Sequence, residues 1–257
     1  MLEAEWVHRM RRQPRQPVGR VVIFAHSGAG PNALMGIVER LPVTYDVVGV
    51  TLPGRERRFA EPPEVAPSDV VAAVRRELAA LEPCPTIFFG HSLGASVAIG
   101  VALAGPSACA SLLVSAQLPG GSQVERPSSW DDADLLEIME LGGATPLALL
   151  ADPHWREHLF QLLRADFSLG HRLRGQLENA VLDIPLTVLG GAEDRLVPSA
   201  QLSLWKARTK AAFEMEIFPG GHFYLLDQAN IDAVAAHIVA ALDSAAAATD
   251  HRPRTAL

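Results

Sequence analysis

The chain has 257 residues, of which 49% are hydrophobic and 20% are charged, and this length and composition suit one large α/β domain or two small ones. The formal net charge of −7 and the lack of a long basic block argue against nucleic acid as the main partner. No stretch of about 18 uninterrupted apolar residues predicts a membrane span, and the acidic start lacks the apolar core of a signal peptide. The two cysteines, Cys84 and Cys109, indicate buried free thiols in a cytoplasmic protein, without a disulfide framework or a metal site.

Predicted strands and helices alternate along most of the chain. Residues 1–20 carry five arginines against two glutamates and predict a solvated, partly disordered arm. Apolar runs at 21–24, 46–50 and 111–115 predict buried strands of a parallel sheet. Apolar residues at helical spacing over 67–81 predict a helix that packs on this sheet.

A strand, a sharp turn and a helix are predicted in direct succession near the middle of the chain. Residues 86–89 favour a short buried strand, Gly-His-Ser-Leu-Gly follows at 90–94, and small apolar residues over 95–103 predict a buried helix. This context is that of a nucleophile elbow, in which glycines avoid a clash with the neighbouring backbone. Ser92 is therefore the predicted nucleophile, with a strained backbone and an exposed hydroxyl.

The alternation stops between residues 119 and 182, where two amphipathic helical patterns follow a segment rich in proline, glycine and serine. We expect this insertion, about 119–182, to form a helical lid over an active site, with a plain helical layer of the core as the alternative. Met139 and Phe160 are candidate residues of an acyl channel, although such residues are more often part of a core.

The last third of the chain returns to strands. Residues 184–190 predict a strand, and the alternation of apolar and acidic residues over 213–218 predicts another near the sheet edge. Residues 231–242 predict a closing helix, and residues 244–257 predict a disordered tail. We therefore expect a single domain over residues 21–243.

Three residue types that work together in nucleophilic catalysis follow three of the predicted strands, in the order Ser92, Asp194, His222. The carboxyl ends of parallel strands share one edge of a sheet, so these side chains are expected to converge there. A serine hydroxyl is a poor nucleophile at neutral pH, so His222 must accept its proton, and Asp194 would hold the histidine tautomer. Asp183 and Asp227 are weaker candidates for the acid.

A glycine-rich loop at residues 26–30 follows the first predicted strand and resembles the oxyanion loop of α/β-hydrolases. We assign the two oxyanion donors to the backbone N–H groups of Ser27 and Leu93. A glycine-rich turn without a catalytic role is the alternative. His26 and His91 are assigned to hydrogen bonding within their loops and not to the base.

Five segments carry a wider resemblance: residues 25–30, Leu-Pro-Gly-Arg-Glu-Arg-Arg at 52–58, residues 90–94, Leu-Arg-Ala-Asp-Phe at 163–167 and Pro-Gly-Gly-His-Phe at 219–223. Together they resemble type II thioesterases, the stand-alone editing hydrolases of modular polyketide synthases and nonribosomal peptide synthetases. The match spans nearly the whole chain. The second and the last of these segments are far more specific than the Gly-x-Ser-x-Gly pattern.

The resemblance implies an α/β-hydrolase fold with a mostly parallel central sheet, helices on both faces and a helical lid insertion. It also implies that Ser92, Asp194 and His222 hydrolyse acyl thioesters on the phosphopantetheine arm of an acyl or peptidyl carrier protein, without a cofactor or metal of the enzyme's own. The carrier is expected to be a separate protein, with no nucleic acid or membrane partner.

A cluster of arginines, Arg55, Arg57 and Arg58, offers a surface for an acidic carrier, and a solvated or internally paired cluster is an equal alternative. Two other functions remain open at this point. The first is a general carboxylesterase or fatty-acyl thioesterase on the same fold. The second is a non-enzymatic α/β-hydrolase-fold binding protein, against which an intact triad argues.

Overall fold

The structure is a computed structural model that describes residues 5–105, 108–120, 130–143 and 150–250. Its strands are β1 (Val7–Arg9), β2 (Gly19–Phe24), β3 (Tyr45–Val50), β4 (Thr86–His91), β5 (Ser111–Ser115), β6 (Leu186–Gly191) and β7 (Phe213–Phe218). Its α-helices are α1 (Met35–Val38), α2 (Pro67–Ala79), α3 (Leu93–Ala104), α4 (Asp132–Gly142), α5 (Pro153–Gln176) and α6 (Ile231–Asp250). Every strand predicted from an apolar run is present, and its ends differ from the prediction by no more than two residues.

In the described residues the strands form one seven-stranded sheet in the order β1-β3-β2-β4-β5-β6-β7. β1 is antiparallel to its neighbour β3, and the other five pairs are parallel. Parallel neighbours need long crossover connections, which helices supply, and strands covered on both faces are apolar throughout. The predicted mostly parallel α/β sheet is confirmed, and β7 lies at the sheet edge as expected.

Helices cover both faces of the sheet. Successive side chains of a strand point to opposite faces, so each strand contributes to two separate cores. On one face, Val22, Phe24 and Phe88 pack with side chains of α2, α3 and α5. On the other face, Val21 and Ile23 pack with side chains of α1 and α6. The core thus lies in two layers, and both hold the strand ends in fixed register.

The N-terminal segment is part of the sheet, contrary to the prediction of a solvated arm. Val7–Arg9 forms β1 and pairs with β3, and the N–H groups of Trp6 and Val7 both donate to Glu77 at 2.8 Å. The prediction was wrong because it was based on the local charge alone. Backbone pairing with a distant strand holds the segment in place. Residues 1–4 lie outside the described residues.

The closing helix α6 is longer than predicted, since it continues to Asp250 and includes the first seven residues of the expected tail. Residues 251–257 of that tail lie outside the described residues. By length and composition α6 is apolar enough to cross a membrane. Its side chains Val234, Ile238 and Leu242 instead pack in the core against the sheet, which accounts for its apolar character.

Two helices of the predicted insertion are described. Asp131 caps α4 in a reciprocal pair with Asp134, and the α4 C-terminus closes at Gly143, whose φ is 78°. α5 packs on α4 and also on the core helix α3. Phe160 belongs to a small core between the two insertion helices and is not among the residues that line the catalytic cavity, so the core alternative is correct for it. Residues 121–129 and 144–149 of the insertion are outside the described residues.

Both cysteines are free thiols, as expected. Cys109 is buried, and burial raises the pKa of its thiol to about 12. Cys84 is only half-buried, so the prediction of two buried thiols is correct for Cys109 alone.

Candidate active site

The turn between β4 and α3 holds Ser92 in a strained conformation, with φ of 54° and ψ of −118°. A Cβ at Gly90 would lie 2.6 Å from the Cα of Ala95, and one at Gly94 would lie 2.1 Å from the carbonyl oxygen of Phe24. No side chain fits at either position, so glycine is required on both sides of the turn. The predicted nucleophile elbow is confirmed in its geometry.

Backbone and side-chain hydrogen bonds hold this strained residue. The Ser92 N–H donates to the Ser115 carbonyl at 2.8 Å, and the Ser92 carbonyl accepts from Gln117 Nε2 at 2.9 Å. The carbonyl of Gln117 in turn accepts from the Trp205 indole at 2.7 Å. Such strain costs about 1–3 kcal/mol and persists only where the surroundings fix it. Sequence reasoning gave Gln117 no such role, because nothing in its local pattern points back to Ser92.

Asp194 and His222 form a buried pair. Asp194 follows β6 and His222 follows β7, and the His222 Nδ1 lies 2.8 Å from Asp194 Oδ2. The other oxygen, Oδ1, accepts the N–H groups of Leu196 and Val197 at 2.8 and 2.9 Å. The carboxylate is thereby fixed in place, so it can hold the His222 tautomer that leaves Nε2 free to accept a proton.

A cavity of about 270 Å³ brings the predicted site residues together, because Ser27, Ser92, Leu93 and His222 all line it. Met139 lines it as well, as expected for a residue of an acyl channel. The Ser27 and Leu93 backbones thus lie beside the nucleophile, which is where oxyanion donors are needed. Their assignment as those donors stays a prediction.

The weaker candidates for the acid lie elsewhere. Asp183 is exposed and pairs with Lys210 at 3.3 Å. Asp227 accepts the N–H of Ala229 at 3.0 Å ahead of α6. The carboxylate that bonds His222 is instead that of Asp194, at 2.8 Å.

Two further histidines pack around His222. The His91 ring lies 5.1 Å from that of His222, and its Nδ1 bonds the Ser115 hydroxyl at 2.9 Å, which bonds the Tyr224 hydroxyl at 2.7 Å. The His26 ring lies 5.6 Å from that of His91. Burial, with smaller effects of the neighbouring histidines, lowers the pKa of His91 well below its usual range. Burial also lowers the pKa of His26 to about 4.

A buried ion pair joins three segments beside the nucleophile. Arg55 donates to both carboxylate oxygens of Asp166 on α5, at 2.6 and 2.8 Å, and both side chains are almost completely buried. Asp166 Oδ2 also accepts the Gly28 N–H at 2.7 Å, and Arg55 reaches the Ala29 carbonyl at 3.3 Å. The pair therefore fixes the loop of Ser27 against α5. The sequence marked both segments as family signatures, but gave no reason to pair them.

The arginine cluster is mostly internal. Arg58 is buried, pairs with Glu61 and lies over the Trp6 ring at 3.8 Å. With Arg55 also buried, the interpretation of the cluster as a carrier surface is wrong for two of its three members, and internal pairing is correct. Arg57 is the exposed member, 3.5 Å from Glu5.

A family model described as a thioesterase domain matches residues 19–242. The chain belongs to the thioesterase family. Thioesterase PikA5 of Streptomyces venezuelae is 30% identical over 87% of this chain and 81% of its own length. The medium-chain S-acyl fatty acid synthase thioesterase of Homo sapiens is 31% identical over 87% of this chain and 87% of its own length.

A solved structure agrees with these relatives. RedJ, a thioesterase from the prodiginine biosynthetic pathway in Streptomyces coelicolor, matches with a TM-score of 0.75 at 28% identity, over 91% of each chain. The resemblance found in the sequence and the predicted α/β-hydrolase fold are thus confirmed, and this thioesterase is a hydrolase of thioesters.

We predict that Asp166→Asn lowers kcat about tenfold or more on a short acyl thioester and leaves KM within about threefold, because the loop of Ser27 loses its fixed place. Steady-state kinetics measure this. Asp46→Asn is the matched control, since it breaks the buried Arg20–Asp46 pair (2.8 Å) at the amino ends of the strands. It should lower stability and leave kcat within about twofold. Equal losses of kcat in both variants would contradict the prediction.

The low pKa of His26 predicts a loss of stability in acid. The unfolded chain binds a proton there as the pH falls below 6.5, whereas the folded protein does so only near pH 4. The contribution of neutral His26 to the free energy of unfolding is therefore fully present above pH 6.5. It is lost as the pH falls from 6.5 towards 4, and the loss is about 2 kcal/mol at pH 5. Urea unfolding at pH 7 and 5 should show a smaller difference for His26→Asn than for the wild type. The exposed-site variant His154→Asn should behave as the wild type, and identical differences in all three proteins would contradict the assignment.

Proposed function

We propose that this thioesterase removes acyl groups from the phosphopantetheine arms of acyl or peptidyl carrier proteins, as an editing enzyme of polyketide or nonribosomal peptide biosynthesis in the cytoplasm. The observation that carries the proposal is the buried Asp194–His222 pair, at 2.8 Å, whose histidine lines one cavity with Ser92. The relatives support the pathway class, since PikA5 is named a thioesterase and RedJ comes from prodiginine biosynthesis.

In the proposed mechanism, His222 Nε2 accepts the Ser92 proton as Oγ attacks the thioester carbonyl carbon. Asp194 accepts the Nδ1–H of His222 and stabilises the imidazolium that forms. The oxyanion of the tetrahedral intermediate receives hydrogen bonds from the N–H groups of Ser27 and Leu93, each worth a few kcal/mol in such sites.

The intermediate then collapses. The C–S bond breaks, and the carrier thiol leaves with the proton that His222 returns. A thiol has a pKa of about 8.5, so this departure needs less help from an acid than an alkoxide would. Water, deprotonated by His222, attacks the acyl-Ser92 ester, and the carboxylic acid is released as Ser92 regains its proton. No cofactor or metal takes part in this proposal.

A second candidate is a fatty-acyl thioesterase or general carboxylesterase, and one observation favours it. The human relative, at 31% identity, is named as a fatty acid synthase thioesterase. The chemistry of the triad is the same for either substrate, so the two candidates differ in what the cavity and the surface around it bind. The third alternative, a non-enzymatic binding protein, has no support from a cavity lined by Ser92 and by a histidine that a buried aspartate holds.

We predict that Ser92→Ala abolishes hydrolysis of short acyl thioesters and leaves the fold intact, because no other group can form the acyl-enzyme. Intact mass after a rapid quench should show an acyl adduct on the wild type and none on the variant. Ser96→Ala, one turn later on α3, is the matched control, since Ser96 is buried and does not line the catalytic cavity. Hydrolysis retained by purified Ser92→Ala would refute the mechanism.

We also predict a preference for the carrier. An acyl group on a carrier protein should be hydrolysed with a kcat/KM at least about tenfold above that of the same acyl group on a simple thiol, because the protein surface adds binding energy. Rates on a carrier-bound thioester, the matching simple thioester and the matching oxygen ester measure this. Equal rates on carrier and simple thioester would favour the second candidate.

A further inference from the structure

The wall of the catalytic cavity carries a cation that has no counter-charge among the described residues. Arg174 lies on α5 and lines the same cavity as Ser92 and His222. Within residues 5–105, 108–120, 130–143 and 150–250, its guanidinium makes no hydrogen bond and no ion pair. A charged side chain in the wall of such a cavity, without a partner, is typical of a residue that binds substrate.

The fully buried arginines in the described part of the chain differ from Arg174 in having a counter-charge. Each has a carboxylate partner: Arg20 has Asp46, Arg55 has Asp166 and Arg58 has Glu61. Arg174 is half-buried, and burial alone lowers the pKa of its guanidinium, with no carboxylate to oppose the effect. Removing a charge from water without an opposite charge costs free energy, which a bound anion would offset.

The position of Arg174 on α5 places it near the reacting atoms. Asp166, Gly170 and Arg174 are four residues apart and lie on one face of the helix. Gly170 faces the nucleophile turn, since a Cβ there would lie 3.2 Å from Leu93 Cδ1. Arg174 follows one turn later, about 6 Å along the helix axis. On this face the carboxylate of Asp166 is paired with Arg55. The guanidinium of Arg174 is the remaining charged group of this face in the cavity wall.

We propose that Arg174 binds an anionic group of the acyl-thioester substrate, either a carboxylate on the acyl group or the phosphate of the pantetheine arm. This inference rests on the proposed function and names a substrate class for it. A guanidinium binds carboxylate and phosphate alike, through two parallel N–H···O bonds. Its place in the same cavity as Leu93 favours a carboxylate on the acyl group, while the apolar wall at Ile138, Met139 and Leu159 suits hydrocarbon.

Four substrates separate the two sources of negative charge. Butyryl and succinyl thioesters of N-acetylcysteamine differ by one carboxylate, and butyryl-pantetheine and butyryl-phosphopantetheine differ by one phosphate. Arg174→Gln should lower kcat/KM about tenfold or more for the anionic member of one pair and leave its neutral partner within about twofold. The pair that responds identifies the anion. Arg174→Lys, which keeps the charge, should retain more of the discrimination than Arg174→Gln.

The control is Arg156→Gln, which removes an exposed arginine of the same helix that does not line the cavity. It should leave the anionic-to-neutral ratio of both pairs unchanged. A change by the same factor on all four substrates in Arg174→Gln, or no change on any, would overturn the inference. A wild-type protein that is inactive on all four would instead overturn the proposed function, and this inference with it.

Discussion

The structure depends on the close approach of α3 to β2, which a glycine makes possible. At Gly94 the space that a Cβ would occupy is only 2.1 Å from the Phe24 carbonyl oxygen, so the first turn of α3 lies directly on the end of β2. Because β2 and β4 are neighbours in the sheet, the loop after β2 is thereby held beside Ser92. The contact that strains the nucleophile also places Ser27 within its cavity. The position of the elbow therefore fixes the position of the candidate oxyanion loop.

A second close backbone contact brings together the loops that carry Asp194 and His222. A Cβ at Gly191 would lie 2.2 Å from the Gly221 carbonyl oxygen, so the loops after β6 and β7 touch through their backbones. The Glu193 N–H donates to the Gly220 carbonyl at 3.0 Å across this contact. Parallel pairing of β6 and β7 brings the two loops to the same edge, and the absence of side chains lets them meet. The buried Asp194–His222 pair follows from this backbone contact.

Much of this could be predicted from the sequence because it depends on local signals. Apolar runs marked the strands, glycines marked the turns, and the position of Ser92, Asp194 and His222 after three of the parallel strands was enough to expect all three at one edge. Asp194 was preferred to Asp183 as the acid because Asp183 precedes its strand and so lies at the opposite edge, and the structure places Asp194 2.8 Å from His222. Such inferences need only the direction of the chain and the period of its side chains.

The remaining features depend on contacts between distant residues, for which a single sequence gives no signal. β1 pairs through its backbone, so its arginine-rich surroundings predicted a solvated arm instead of a strand. The Arg55–Asp166 pair joins residues 111 apart in the chain, and neither segment carries a pattern that names the other. Phe160 and Met139 share helical patterns of the same kind, yet only Met139 faces the cavity. Which face of an insertion helix meets the site is set by tertiary packing and not by periodicity.

In the proposed mechanism one histidine among three is the base, and the charges around the cavity account for this choice. His26 and His91 lose their protons because burial disfavours the charged ring, and nearby cationic groups, His222 included, lower their pKa further. His222 differs from both in one respect, since a fixed carboxylate accepts its Nδ1–H. Because these two rings are neutral, they add no positive charge beside His222, and the carboxylate of Asp194 stabilises the imidazolium proposed to form during attack. In the proposed mechanism, burial of the two neighbouring rings and pairing of His222 with Asp194 thus act together to direct the Ser92 proton to His222 Nε2.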